Sequence, residues 1–276
     1  MLTFYISLIL LAIIAGIIGS LLGIGGGIVI IPILILLYHI NIREAIGASI
    51  ISVIATSSGA ASVYLKDKLI NLKTGMFLEI ATTTGAISGA TLLGIINPQI
   101  LFFIFAFVLI ISIYPMIMKR ENNKEGIQND YISKKLELAS SYTDNDGVVY
   151  KYGVNNTPYG LIMMYIAGFA SGLLGIGSGV FKVIAMDDIM HIPMKVSTTT
   201  SNFMIGVTAL ASSVIYLIKG YINPYLALPV MAGIFIGSLL GTKILRKTSN
   251  QNLKVIFSII LLIIAIEMVL RGVGLL

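Results

Sequence analysis

Apolar residues run along this chain in long stretches separated by short polar loops, without the mixed pattern of a water-soluble domain. Eight such elements can be read, at residues 4–38, 44–65, 74–96, 99–118, 158–190, 197–218, 223–243 and 252–274. About 20 apolar residues in a helix span roughly 30 Å of hydrocarbon, so each element is long enough to cross a bilayer. The pattern predicts an all-α polytopic membrane protein. The first run, Leu2 to Leu22, is then one span among many rather than a cleaved leader. Only one long segment is too hydrophilic to cross, and it divides the chain into a first transmembrane repeat (1–118), a polar cytoplasmic linker (119–157) and a second repeat (158–276). Within the linker, SSYTDNDGVVYKYG predicts a turn at Asp146-Gly147 joining two short strands.

The two flanking stretches are copies of one unit. Shifted by 152 residues, the chain aligns with itself without a gap from Ala15 to about Gly89. Gly25 meets Gly177, Gly27 meets Gly179, His39 meets His191, Ser49 meets Ser201, Thr56 meets Thr208 and Tyr64 meets Tyr216. Duplicated halves of this kind are a common construction of secondary transporters, with the substrate site between the halves and built from discontinuous helices.

Composition agrees with the pattern: 57% of residues are apolar and 11% charged, and the mean hydropathy is +0.98. Cysteine is absent, which excludes disulfides, thiolate nucleophiles and cysteine metal sites. The net charge of +6 does not point to nucleic acid, because the basic residues sit mostly in loops between apolar runs, where they orient a chain in the bilayer. Their distribution bears on topology. Some 35 residues is too many for a single crossing, so the elements at 4–38 and 158–190 are expected to turn back at their glycines, as a broken helix making two crossings or as a re-entrant hairpin. The halves are then inverted relative to one another. With both termini outside, fourteen loop lysines and arginines fall on the cytoplasmic side, and three (Arg43, Lys219 and Arg271) fall outside, as the positive-inside tendency favours.

Glycine clusters head both halves. Spacings of four, as at Gly85 and Gly89 or Gly237 and Gly241, suit close helix packing. Three glycines in succession, Gly25 to Gly27, add no packing face and instead predict a helix broken within the membrane, as does GSG at Gly177 to Gly179. A helix restarting after such a break presents free amides and the positive end of its dipole, so two converging breaks would favour an anion. The following elements carry hydroxyls and an amide, ASIISVIATSSGAAS and STTTSNFMIGVTALASS. Lys182 lies within an apolar run, where a charge is expensive; it either binds an anion or pairs with Asp187 or Asp188. Asp187, Asp188 and Glu79 are candidate proton-coupling groups, or solvated residues near element ends. His39 and His191 suit the membrane interface better than a metal site, since no second ligand has a suitable spacing.

LLGIGGGIVIIP and LLGIGSGVF, with KVSTTTSNFMIGVTALAS after the second, resemble the sulfite exporter TauE/SafE family of integral membrane permeases. The second copy departs from the glycine-rich pattern at Ser178, and Ile184 stands where the first half has Pro32. The resemblance covers both halves but not the central segment. It implies a plasma-membrane exporter of small sulfur-containing anions such as sulfite, sulfoacetate, thiosulfate or sulfonates, with no cofactor. An oxyanion would be held by amides near Gly25, Gly26, Gly27, Gly177, Ser178 and Gly179, with Ser49, Thr56, Thr200, Ser201 and Asn202 nearby and Lys182 adding charge. The partners implied are that anion, the bilayer and a candidate coupling proton. An anion channel would use the same elements. An enzymatic alternative, an intramembrane protease with Ser178 as nucleophile and His191 as base, is disfavoured because the first-half counterpart of Ser178 is Gly26.

Overall fold

Both long elements are broken where their glycines cluster. The computed structural model describes residues 2–22, 25–64, 69–117, 129–143, 148–245 and 251–275. In the first half, helix α1 (Leu2–Leu22) is followed by a short helix α2 (Gly27–Tyr38), then α3 (Ile42–Tyr64), α4 (Leu72–Leu92) and α5 (Pro98–Ile117). The second half repeats the order: α7 (Thr157–Leu174), α8 (Gly179–Ile184) running into a π-helical segment (Ala185–Ile189), α9 (Met194–Ile218), α10 (Pro224–Leu245) and α11 (Gln251–Val273). Both short limbs end at a histidine with left-handed backbone, His39 at φ 52° and His191 at φ 58°. The sequence repeat is thus also a repeat of backbone conformation.

The halves are interlocked rather than side by side. Helix α1 packs along α10, and its counterpart α7 packs along α4; α3 meets α9, and α5 meets α11. Glycine makes the first two seams. A Cβ placed on Gly168 or Gly172 would run into the backbone carbonyls of Thr82 and Ala86, and one on Gly85 or Gly89 into those of Tyr165 and Phe169. Gly233, Gly237 and Gly241 meet the carbonyls of Ile9, Ile13 and Ile17 in the same way. Residue numbers rise together across each seam, so α4 runs parallel to α7 and α1 to α10. Helix α3 also runs with α10, since Gly47 lies against Tyr221 and Gly59 against Ser238. By contrast, Phe103 near the start of α5 packs on Gly272 at the end of α11, so these two are antiparallel.

Large apolar side chains cover the outside as well as the core. Ile6, Leu10 and Ile14 on α1, Phe103, Phe107 and Ile110 on α5, and Ile259, Ile263 and Ile266 on α11 are all exposed at roughly one-turn spacing, as expected of faces turned to lipid. Ser49, Ser52, Thr56 and Ser57 on α3, and Ser197, Thr200, Ser201, Asn202, Thr208 and Ser212 on α9, are turned inward and buried. Among the described residues, four helices are apolar and long enough to cross a membrane by length and composition.

The segment between the halves forms a small cap. Helix α6 (Tyr131–Leu136) and a hairpin of β1 (Ser140–Thr143) and β2 (Val149–Tyr152) pair as the alternating sequence predicts, with Ser140 opposite Tyr152 and Thr143 opposite Val149. The expected Asp146-Gly147 turn lies outside the described residues. Leu138, Tyr152 and Val154 bury themselves against Leu78, Met164, Met186 and Met190. Asn71 fastens the cap, its Nδ2 donating to the Leu138 carbonyl at 2.9 Å and to the Tyr152 hydroxyl at 3.0 Å. Asp130 caps two helices at once, one carboxylate oxygen accepting from the Ser133 amide of α6 (2.7 Å) and the other from the Thr157 amide of α7 (2.6 Å). Burial raises its carboxyl, but the bonds from Ser133 and Thr157 outweigh burial and hold it below the ordinary carboxylate value. The stabilisation is therefore present above the ordinary value and lost as the pH falls through the lowered one. Asp130→Ala removes both caps and is expected to cost about 1–3 kcal/mol, read as a lower unfolding temperature of the purified protein near neutral pH.

Candidate functional site

The two breaks lie against one another. Gly25 (φ 84°) and its counterpart Gly177 (φ 76°) both take the left-handed backbone that glycine adopts without steric cost. A Cβ on Gly25 would lie 3.5 Å from the Ile176 carbonyl oxygen and 3.9 Å from both Ile205 and Val53; one on Gly177 would lie 2.8 Å from the same two side chains. Val53 and Ile205 are themselves counterparts, 152 residues apart. One glycine and one branched side chain from each half therefore meet at the pseudo-symmetry point of the fold.

Hydroxyls from α3 and α9 brace the breaks. Ser49 donates to the Gly175 carbonyl across the halves at 2.8 Å, and Ser201 donates to the Gly179 carbonyl at 3.2 Å. Gly27 packs so closely that a Cβ would lie 2.5 Å from Ser49 Oγ and 2.8 Å from the Gly175 oxygen. Thr56 bonds its own helix at the Ser52 carbonyl (2.9 Å), and a Cβ on Gly26 would reach its hydroxyl at 3.1 Å. Thr200 faces elsewhere: its hydroxyl accepts from the Asn71 amide at 3.1 Å and holds the start of α4. Of the residues expected at the site, Thr200 is thus the one turned toward α4 instead.

Two of the residues expected at the site carry unused donors. Ser178 and Asn202 are each 2% exposed, and neither Ser178 Oγ nor Asn202 Nδ2 has a hydrogen-bond partner among the described residues. Ser178 also sits at φ 49°, a left-handed backbone that a side chain disfavours. An unpaired buried donor costs about 1–3 kcal/mol, a penalty that an acceptor ligand would relieve. Ser178 immediately precedes Gly179 and Asn202 immediately follows Ser201, so the Ser201–Gly179 bond brings the two donors' segments together. Both lack counterparts in the first half, where Gly26 and Ile50 stand. The hydroxyl of Ser178 has no histidine on it, so the nucleophile–base pair of a protease is not formed.

Lys182 lies one turn beyond Ser178 and is fully buried. Its ammonium donates to Thr208 Oγ1 at 2.5 Å, and Thr208 Oγ1 lies 2.6 Å from Glu79 Oε1. Thr83 donates to the same carboxylate oxygen at 3.2 Å. Of the alternatives read for Lys182, the bond goes through Thr208 to Glu79 rather than to Asp187 or Asp188, which stand five and six residues on and not at the three- or four-residue spacing that shares a helix face, Asp187 buried and Asp188 exposed. Glu79 is not a solvated end residue either: it is 5% exposed, in the second turn of α4. Sequence reasoning missed Thr208 as a site residue. The available signal was its position seven residues after Ser201, on the same face of α9.

Residues 8–268 match the model of the family described as "Sulfite exporter TauE/SafE". Curated relatives include "Probable membrane transporter protein YunE" of Bacillus subtilis (strain 168), 30% identical over 279 residues and covering 98% of each chain. "Probable membrane transporter protein YdhB" of the same organism is 27% identical, over 86% of this chain and 88% of its own. "Probable membrane transporter protein MJ0441" of Methanocaldococcus jannaschii is 28% identical, over 95% and 94%. No solved structure matches the chain. A family match over nearly the whole length, on a fold of long apolar helices with paired glycine breaks, places this chain in the sulfite exporter TauE/SafE family, as a multi-pass membrane transporter and not an enzyme.

Proposed function

We propose that the chain exports small sulfur-containing anions, the class of sulfite, thiosulfate, sulfoacetate and sulfonates, by alternating access between two inverted halves. The observation that carries this is the contact of the two glycine breaks at the pseudo-symmetry point, with the unpaired donors Ser178 Oγ in the second break and Asn202 Nδ2 on α9, next to the Ser201 that bonds that break. All the groups gathered there suit an oxyanion: amides at the restart of α2 and after Gly177, a hydroxyl, a carboxamide N–H, and Lys182 one turn away. A tetrahedral or pyramidal sulfur oxyanion presents several acceptor oxygens and no donors when fully ionised, which suits a cluster of donors whose side-chain members all come from the second half.

Inversion is supported by helix direction. The equivalent helices α5 and α11 run antiparallel. Helix α3 runs with α10, and α10 follows α9 after a loop of only residues 219–223, so the equivalents α3 and α9 also oppose each other. With the charge distribution, this favours an orientation with both termini outside the cell and the central cap in the cytoplasm. Because the native chain contains no cysteine, Lys134→Cys and Lys219→Cys can be labelled in intact cells with a membrane-impermeant maleimide. Labelling of position 219 alone is expected. Labelling of both positions from outside overturns the inverted arrangement.

Transport is tested with purified protein in proteoliposomes loaded with sulfite, thiosulfate or methanesulfonate and assayed for exchange of the labelled anion. Saturable exchange, with competition among the sulfur anions, is expected. Flux that rises linearly with concentration would mean a channel, and no exchange of any of the three would remove the substrate class.

A further inference from the structure

We infer that Glu79 is the proton-coupling group of the transporter, and that the transported anion and the Glu79 carboxylate alternate as the counter-charge of Lys182. The inference rests on the anion-transport reading above and adds the coupling ion and its residue. Lys182, Thr208 and Glu79 come from α8, α9 and α4, so the bridge joins the second half to the first. Their 152-residue counterparts are Ile30, Thr56 and Met231, so the charged pair occurs once per chain.

The hydrogen bonds accommodate two protonation states with the same heavy-atom positions. Thr208 Oγ1 has three polar neighbours, Lys182 Nζ, Glu79 Oε1 and the Met204 carbonyl at 2.8 Å, but a hydroxyl has a single proton to give. With Glu79 ionised, Thr208 accepts from Lys182 and donates to Glu79. With Glu79 protonated on Oε1, Glu79 donates to Thr208, and Thr208 turns its proton to the Met204 carbonyl. Glu79 Oε2 is buried with no hydrogen-bond partner among the described residues, which the neutral carbonyl oxygen of an acid protonated on Oε1 tolerates better than an ionised carboxylate oxygen does.

Charge balance then links the proton to the anion. A buried ammonium needs a counter-charge, which Glu79 supplies in the absence of ligand. An anion arriving beside Lys182 puts a second negative charge in the same low-dielectric region, and protonation of Glu79 removes it. Linkage is reciprocal, so a proton on Glu79 favours the anion to the same degree. Other ionisable groups on the surrounding elements are Lys73 on α4, Asp187 and Asp188 in the π-helical segment, His191 after it, Lys195 and Tyr216 on α9, Tyr159 and Tyr165 on α7, Tyr114 on α5, and Arg43 and Glu44 on α3. Lys73 is committed to Glu137 in an exposed pair at 3.0 Å.

The test measures proton uptake on binding, in purified protein in weakly buffered detergent with a pH dye. Thiosulfate is the probe because it is fully ionised near neutral pH and brings no proton of its own. Wild type is expected to take up about one proton per thiosulfate bound. Glu79→Gln is expected to bind thiosulfate with no linked proton, and Glu79→Asp, which keeps a carboxyl, to restore uptake. Should the single variant fail to fold, Lys182→Met with Glu79→Gln removes both charges together and leaves none unpaired; proton uptake per bound thiosulfate is expected to vanish there too. Wild-type binding without proton uptake, or undiminished uptake per bound anion in the variants lacking the Glu79 carboxyl, overturns the coupling role while leaving anion transport standing. If thiosulfate, sulfite and methanesulfonate all fail to bind wild type, both fall.

Discussion

Gly172→Val is expected to abolish folded protein in the membrane fraction. Helices α4 and α7 touch backbone to backbone along a seam made by Gly85 and Gly89 on one side and Gly168 and Gly172 on the other, and a Cβ at 172 would fall on the Ala86 carbonyl group. No rotamer change relieves that contact, because the obstacle is main chain; the helices must separate, and the whole seam loses its packing. Overpacking a well-packed core costs about 1–3 kcal/mol when side chains can give way, and here the obstruction is backbone, so the loss is expected at or beyond the upper end. Gly75→Ala is the matching control: the nearest atom to its Cβ would be a methyl of Thr200 at 3.1 Å, which a small shift accommodates. Fluorescence-detected size exclusion of the two variants separates these outcomes. A monodisperse Gly172→Val protein would mean that the seam is looser than described.

The second large effect is on transport. Lys182→Met keeps the length and apolar stem of the side chain, removes the only charge on α8, and leaves Glu79 with the hydroxyls of Thr208 and Thr83 but no cation. Losing a charge-assisted contact to an anion costs about 1.5–3 kcal/mol, which corresponds to roughly 10- to 150-fold in affinity. Sulfite exchange in proteoliposomes is expected to fall by about that factor at limiting substrate. A variant that folds and exchanges sulfite at the wild-type rate would make the lysine a structural partner of Glu79 and nothing more.

Much of this architecture was legible in the sequence because its causes are local. Gly25-Gly26-Gly27 and Gly177-Ser178-Gly179 cannot continue a helix at low cost, and both breaks fall there. Apolar run lengths fixed the helices, and the alternation around Tyr142 and Tyr150 fixed the hairpin. What the sequence hid depends on which helix faces which. Lys182 has Asp187 and Asp188 five and six residues away, yet the carboxylate tied to it comes from α4, more than a hundred residues earlier, through a threonine on a third helix. Thr200 sits in a run of six polar residues, Ser197 to Asn202, that suggested a ligand, but helical geometry turns it toward Asn71 while its neighbour Ser201 reaches the break. The central segment is polar in composition, and among its described residues the buried apolar ones are three, Leu138, Tyr152 and Val154, too few to register in a hydropathy pattern.

The central claim is that the two breaks and the donors beside them form one anion site. Calorimetric titration of sulfite into purified wild type and Asn202→Leu tests it most directly, because leucine matches asparagine in size, leaves the bond from Ser57 to the residue 202 carbonyl in place, and removes the carboxamide that carries the unpaired N–H. Saturable binding by wild type, weakened about tenfold or more in the variant, is the expected result. Sulfite binding of equal strength in both proteins would place the anion away from the glycine breaks and contradict the account.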